Sequence, residues 1–317
     1  IEWTHHTFNP WVGCTKVSPA CDHCYAEGWA KRSGMVQWGP HAERRRTSES
    51  NWRQPLKWNA EAERLGVRYR VFCSSLADVF DNAVPTEWRY DLFNIILSTP
   101  HLDWLLLTKR IGNARKMIEE ILPETMKGLP AEHPLAWPWP HVWIGATICN
   151  QEEADRDIPK LLMVPADRHF LSMEPLLGSV KLPEVFLKRL HFDGKDHSYP
   201  DNAGMIDWVI VGGESGPGAR PMHPKWVRSL RDQCQAADVP FLFKQHGEWL
   251  ATEFCDDDMA MIPSRRTVYV RPDGSFHDGT DGIDFFGGEE ETAWIGKLAA
   301  GRVLDGKLHD EYPEVRA

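Results

Sequence analysis

Arg70-Val-Phe-Cys-Ser74, a helical segment running from Thr86 to Leu97, and Asp103-Trp-Leu-Leu-Leu107 together decide the fold. The two outer runs are short and apolar, and Pro85 and Thr86 open the segment between them. Strand, helix and strand in that order imply a right-handed βαβ unit with parallel strands. The unit then repeats. A helix is expected from about Gly112 to Ile121, a strand at His141-Val-Trp-Ile-Gly145 and a helix from Gln151 to Met163. Arg168-His-Phe-Leu-Ser172 and Ile206-Asp-Trp-Val-Ile-Val211 are strands, Lys225 to Ala237 is a helix, and Val239-Pro-Phe-Leu-Phe243 is a last strand. A Pro- and Trp-rich crossing from Leu129 to Pro140 and a polar excursion from about Lys188 to Gly204 interrupt the series.

Upstream, residues 3–13 are β-branched and aromatic, punctuated by Pro10 and Gly13, and read as a first short strand. Tyr25, Trp29 and Arg32 fall at helical spacing before Gly34, whereas residues 35–66 read as loop and partial helix. Downstream, Arg265 to Arg271 and the turn Pro272-Asp273-Gly274 read as a β-hairpin, and residues 292–306 as a short helix. The expected fold class is α/β: a partial or full (β/α) barrel of about six to seven parallel strands. It occupies residues 1–249, with residues 250–317 as an appendage packed on it.

The 317 residues are 42% hydrophobic and 26% charged, ordinary for a globular protein with a sizeable core. No apolar run approaches the roughly 18–20 residues of a membrane helix. Ile1-Glu-Trp-Thr-His-His6 lacks the basic and apolar regions of a secretory signal, so the expected location is the cytoplasm and no membrane partner is expected. A net charge of −10 argues against nonspecific binding to a polyanion, although Lys31-Arg32 and Arg44-Arg45-Arg46 leave room for a basic face. Fifteen tryptophans serve a core and also suit stacking on bases.

Seven cysteines, three of them in Cys14-Thr-Lys-Val-Ser-Pro-Ala-Cys21-Asp-His-Cys24, do not make a disulfide framework. In a reducing compartment such a cluster points to metal. Three thiolates can hold three irons of a 4Fe–4S cluster and leave the fourth open. A structural zinc site, with His5, His6 or His23 as fourth ligand, is the alternative, although no second C-x2-C pair is present. Polar residues recur where each strand ends, the position of functional groups in parallel barrels. They are Ser74, Ser75 and Asp78; Thr108, Lys109 and Arg110; Thr147; Ser172 and Glu174; Gly212, Gly213 and Glu214; and Lys244, Gln245 and His246. The turn Gly212-Gly213-Glu214-Ser215-Gly216 lacks the lysine and spacing of a P-loop.

Trp3 to Tyr25 with its three cysteines, Leu107-Thr-Lys-Arg110, Phe170-Leu-Ser-Met-Glu-Pro-Leu-Leu-Gly178, and Val209 through Gly212-Gly213-Glu214-Ser215-Gly216 to Pro221 carry a resemblance. The chain resembles the radical S-adenosylmethionine superfamily and, more closely, a phage- and prophage-encoded family long labelled as of unknown function. The superfamily usually spaces its cysteines C-x3-C-x2-C, against six residues in the first gap here. The resemblance implies a 4Fe–4S cluster on Cys14, Cys21 and Cys24 and S-adenosyl-L-methionine on its open iron. His23 would touch adenine, and Ser74, Ser75 or Asp78 would receive the methionine amino group. Glu174, Gly212, Gly213 and Glu214 would contact ribose, adenine or substrate, and Tyr25, Lys109, Thr147 and Ser172 complete the expected cofactor-binding set. It implies hydrogen abstraction from a substrate, a modified thymine of phage DNA or its nucleoside, in an isomerase or lyase reaction. An external flavodoxin- or ferredoxin-type reductant would supply electrons, in the host cytoplasm for a phage protein. A radical enzyme acting on a small molecule, a peptide or a thymine photoproduct, and a non-catalytic zinc protein, are the other readings.

Overall fold

The computed structural model describes residues 3–127, 137–187, 204–255, 266–280, 282–284 and 286–314. Seven parallel strands form one sheet: β1 (His6–Phe8), β4 (Tyr69–Cys73), β5 (Leu102–Thr108), β6 (Val142–Thr147), β7 (Arg168–Met173), β8 (Ile206–Gly212) and β9 (Phe241–Gln245) neighbour one another in that order. The sheet curls through 210°, a half-barrel with helices alternating along the chain. Strands covered on both faces are mostly apolar, and every residue of β6 and β7 is buried, Thr147, Arg168, His169 and Ser172 included.

The helices are α1 (Tyr25–Ser33), α2 (Glu49–Trp52), α3 (Gln54–Leu65), α4 (Thr86–Leu97), α5 (Ile111–Thr125), α6 (Gln151–Leu162), α7 (Glu184–Leu187), α8 (Pro224–Ala236) and α9 (Lys297–Ala300). Gly34 and Gly66 close α1 and α3 in the left-handed conformation that glycine adopts without a Cβ clash. One upstream expectation changes, and another gains detail. The single first strand divides at Asn9-Pro10 into β1 and β2 (Trp11–Val12), and β2 turns away to pair antiparallel with β3 (Arg45–Arg46). The stretch expected as loop and partial helix contains the twelve-residue α3, in which Pro55 occupies the first turn, where a missing N–H costs no hydrogen bond.

The tail is more β-rich than expected. β10 (Trp249–Ala251), β11 (Thr267–Val270), β12 (Phe276–His277) and β13 (Glu290–Trp294) form an antiparallel sheet in the order β10-β13-β11-β12. The helix expected over 292–306 shrinks to the four residues of α9, because Glu290–Trp294 pairs with both β10 and β11. Residues 128–136 of the Pro- and Trp-rich crossing, 188–203 of the polar excursion and the run Asp256-Asp257-Asp258 lie outside the described residues.

The chain packs as two compact units. One holds Ile1–Thr147 and Asp157–Phe170, with Phe8, Phe93, Trp104 and Trp139 fully buried. The other holds Ile148–Arg156, residues 171–187 and Met205–Ala317, with Trp208, Phe241 and Phe243 in its core. In the second unit the C-terminal segment lies along β9: Phe243 N–H donates to His309 O at 3.0 Å and Glu311 N–H to Phe241 O at 3.3 Å.

One close approach in the first unit demands glycine. A Cβ at Gly145 would lie 2.3 Å from the Phe170 ring, inside van der Waals contact. Gly145→Ala is therefore expected to lower stability by about 1–3 kcal/mol, seen as a lower urea midpoint at unchanged slope; an unshifted midpoint would show that the ring yields freely.

Candidate active site

The three cysteines share one loop of the first unit, between β2 and α1. Gly13 begins it with φ +104, its N–H donating to Leu76 O at 3.1 Å, and Gly39 N–H donates to Cys14 O at 3.0 Å. Ser18 caps a single 3-10 turn, Pro19–Cys21, through its hydroxyl. Cys21 is buried, Cys14 and Cys24 are partly exposed, and all three thiols are free. Cys24 is the residue from which α1 starts, so its sulfur sits at the positive end of a nine-residue helix. Tyr25 Oη donates to Ser75 O at 2.7 Å and ties that helix to the end of β4.

A buried charge network stands behind Cys14. Arg110 donates from Nη1 to Cys14 Sγ at 3.4 Å and from Nη2 to Thr15 O at 3.0 Å. Its guanidinium faces Asp78 at 3.6 Å and Asp81 at 3.8 Å. Asp81 in turn binds Arg44 at 2.8 Å, their side chains 4% and 1% exposed. Asp78 accepts from Thr108 Oγ1, the Lys109 N–H and the Phe80 N–H at 2.7–3.0 Å. Burial, with Asp78 adding to it, pushes the Cys14 thiol up to about 11. A metal that binds this sulfur must therefore displace a proton.

The expected cofactor residues of this unit fall into two groups. Asp78 is spent on capping and on Arg110, and Ser75 is held by Asn9 through Nδ2 at 3.0 Å. Lys109 Nζ donates to Thr147 Oγ1 at 3.3 Å. Ser74 differs: its Oγ is buried and has no partner among the described residues. His23 is exposed.

In the second unit, Glu174 follows β7 and binds Lys244 Nζ through Oε2 and Gln245 Nε2 through Oε1, both at 2.6 Å. A Cβ on Gly212 would come within 3.3 Å of Glu174 Cγ, so the glycine leaves room for that carboxylate. Gly213 serves packing instead, since a Cβ there would overlap His246 O. Glu214 is buried and takes Arg220 in a two-pronged grip, at 2.7 and 2.8 Å, and accepts its N–H as well. It is thus a clamp on its own loop. Ser172 is buried, its carbonyl accepting from the Ile148 N–H at 3.1 Å. His246 Nε2 meets Val303 O at 2.8 Å, and burial lowers its pKa. Gln245 Nε2 faces two acceptors, Glu174 and Gly213 O, which fixes the amide orientation and leaves its buried Oε1 without a donor among the described residues.

Among the described residues no three His, Cys, Asp or Glu side chains are gathered to hold a metal ion. Of the histidines named as a possible fourth zinc ligand, His5 accepts from the Arg70 N–H, and His6 stacks on Trp58 with ring centres 4.3 Å apart. A 4Fe–4S cluster asks for something else, because each thiolate meets a different iron. The loop offers three free thiols, one of them taking a guanidinium donor.

Arg44 and Asp81 had no distinguishing mark in the sequence. Three successive arginines look alike there, and only the pairing in space separates the buried one.

The fold and the thiol loop define an α/β half-barrel protein with three free cysteines leading into its first helix. The chain belongs to the family described as "Protein of unknown function (DUF5131)", whose model matches residues 1–313. No curated protein and no solved structure matches it. Among the described residues no helix is long and apolar enough to cross a membrane.

Two stability measurements probe the site. Asp81→Asn leaves Arg44 charged and buried without its carboxylate, and is expected to cost about 3–5 kcal/mol in urea unfolding. Ser74→Ala removes an unpartnered buried hydroxyl and is expected to leave stability unchanged or raise it by up to about 1 kcal/mol; a clear loss would reveal a partner for that hydroxyl.

Proposed function

We propose that this protein is a radical S-adenosylmethionine enzyme that binds a 4Fe–4S cluster through Cys14, Cys21 and Cys24. Its substrate is a nucleobase, a modified thymine of phage DNA, from which hydrogen is abstracted on the way to isomerisation or carbon–carbon bond formation. The observation that carries the proposal is the set of three free thiols on one loop beside the C-terminal ends of β1 and β4. Groups at those strand ends are the functional ones in parallel barrels. When bound, the cluster would supply the electron that cleaves S-adenosylmethionine to methionine and a 5′-deoxyadenosyl radical.

The chain's own residues hold and orient. Arg110 donates to Cys14 Sγ, which offsets part of the burial that favours its thiol. Ser74 offers an unspent hydroxyl at the end of β4 for a ligand's amino group. Tyr25 keeps α1, and with it Cys24, tied to that same strand end. The proposal includes an external one-electron reductant of flavodoxin or ferredoxin type, and action in the cytoplasm.

Anaerobic reconstitution with iron and sulfide is expected to give a brown protein. Reduced and supplied with S-adenosylmethionine, it is expected to release 5′-deoxyadenosine, and Cys21→Ala to release none above background. Deuterium carried from labelled thymine nucleosides into deoxyadenosine reports the substrate. A colourless zinc protein, or undiminished release by Cys21→Ala, sinks the proposal.

A further inference from the structure

Beside the thiol loop, the first unit holds an open cleft of about 460 Å³. Pockets of this size take small ligands. Val12 lines it, and Cys14 lies two residues further on. β2 and β3 pair Trp11 with Arg46 and Val12 with Arg45, and both arginines line the cleft. Arg46 lies over Trp52, 3.9 Å from the ring centre, and binds Asp91 at 2.8 Å. Arg45 is exposed and donates to Met35 O at 3.0 Å, and no carboxylate pairs with it among the described residues.

No acidic residue lines the cleft, although the chain carries a net charge of −10. Trp29 and Met35 give it an aromatic and a thioether surface. Asn51 adds direction. Its Nδ2 donates to Asn9 O and Thr47 Oγ1, both at 2.9 Å, and because a carbonyl can only accept, the amide cannot be reversed. Its Oδ1 therefore remains an acceptor with no donor among the described residues.

An unneutralised guanidinium, an indole and a lone amide acceptor match a phosphate, a flat base and a ring N–H. We infer that the cleft binds a single nucleotide whose base carries a ring N–H, with its phosphate on Arg45, its base against Trp29 and that N–H on Asn51 Oδ1. The inference gives the substrate of the proposed reaction a site and rests on that reading for its role; the binding itself needs no cluster chemistry. A free nucleotide and a nucleotide extruded from a DNA strand share this chemistry.

The reconstituted full-length protein is titrated calorimetrically, without S-adenosylmethionine, with thymidine 5′-monophosphate and with a short single strand bearing one thymidine between abasic sites. One-to-one binding is expected, tighter for the monophosphate if free nucleotides are the substrate and tighter for the strand if DNA is. Arg45→Ala is expected to weaken binding about 10- to 100-fold, and Arg45→Glu to remove it, with melting temperatures unchanged. Cytidine 5′-monophosphate, which lacks the ring N–H, is expected to bind about 10-fold more weakly. Absence of binding at millimolar nucleotide, or wild-type affinity in Arg45→Ala, overturns the inference. Release of 5′-deoxyadenosine is read in parallel on the unmutated protein. Release without nucleotide binding overturns the cleft alone, and nucleotide binding without release overturns the radical chemistry alone.

Discussion

A charge taken out of water must be met by its opposite, and the pairing of Arg44 with Asp81 is where the first unit obeys that rule most strictly. Arg44 comes from the crossing that precedes the helices α2 and α3. Asp81 and Asp78 come from beyond β4, and Arg110 from beyond β5. Arg89, reaching in from α4, donates to Val79 O and Asp81 O and closes the circle. Four separated pieces of chain are thereby held to one another by groups that have no low-energy alternative. Cys14 lies at the outer end of this assembly through Arg110, so the position of one thiol is inherited from interactions well inside the protein.

The polar residues that collect at the strand ends divide by how much of their bonding capacity is already used. Asp78 and Glu214 accept several hydrogen bonds each and hold loops in place. Glu174 is gripped by Lys244 and Gln245 yet keeps part of its surface exposed. Among the described residues, Ser74 and Gln245 retain buried oxygens without a bonding partner. An unmet buried polar group is costly, so each such atom is a place where a ligand's or water's partner group would be favourable. A carboxylate at a strand end is therefore not by itself a ligand-binding group; its remaining capacity decides.

Much of the fold was legible because its strands are short apolar blocks and its helices have clear stops. Thr86–Leu97 matches the expected helix residue for residue, and each downstream strand falls within a few residues of its expected position. What was hidden was hidden for physical reasons. Pro10 breaks a run of strand-forming residues without changing their character. α3 carries Pro55 and Trp58 and follows closely on Trp52, which blurs its period. β13 looks helical in isolation and becomes a strand only because two neighbours offer it hydrogen bonds. The thiols of the candidate site were plain in their spacing, whereas the roles of Arg44, Arg45 and Arg46 depend on what each one meets in space.

A half-barrel, unlike a closed one, has two borders whose backbone groups look for partners. At the β9 border the protein supplies its own: residues 309–311 lie along Phe241–Phe243 as a brief antiparallel ribbon, and Trp208 Nε1 holds Glu311 O at 2.9 Å from the strand next door. That ribbon takes up backbone groups of Phe241 and Phe243 that a border strand would otherwise leave open. The final stretch of the described chain thus covers this part of the β9 border.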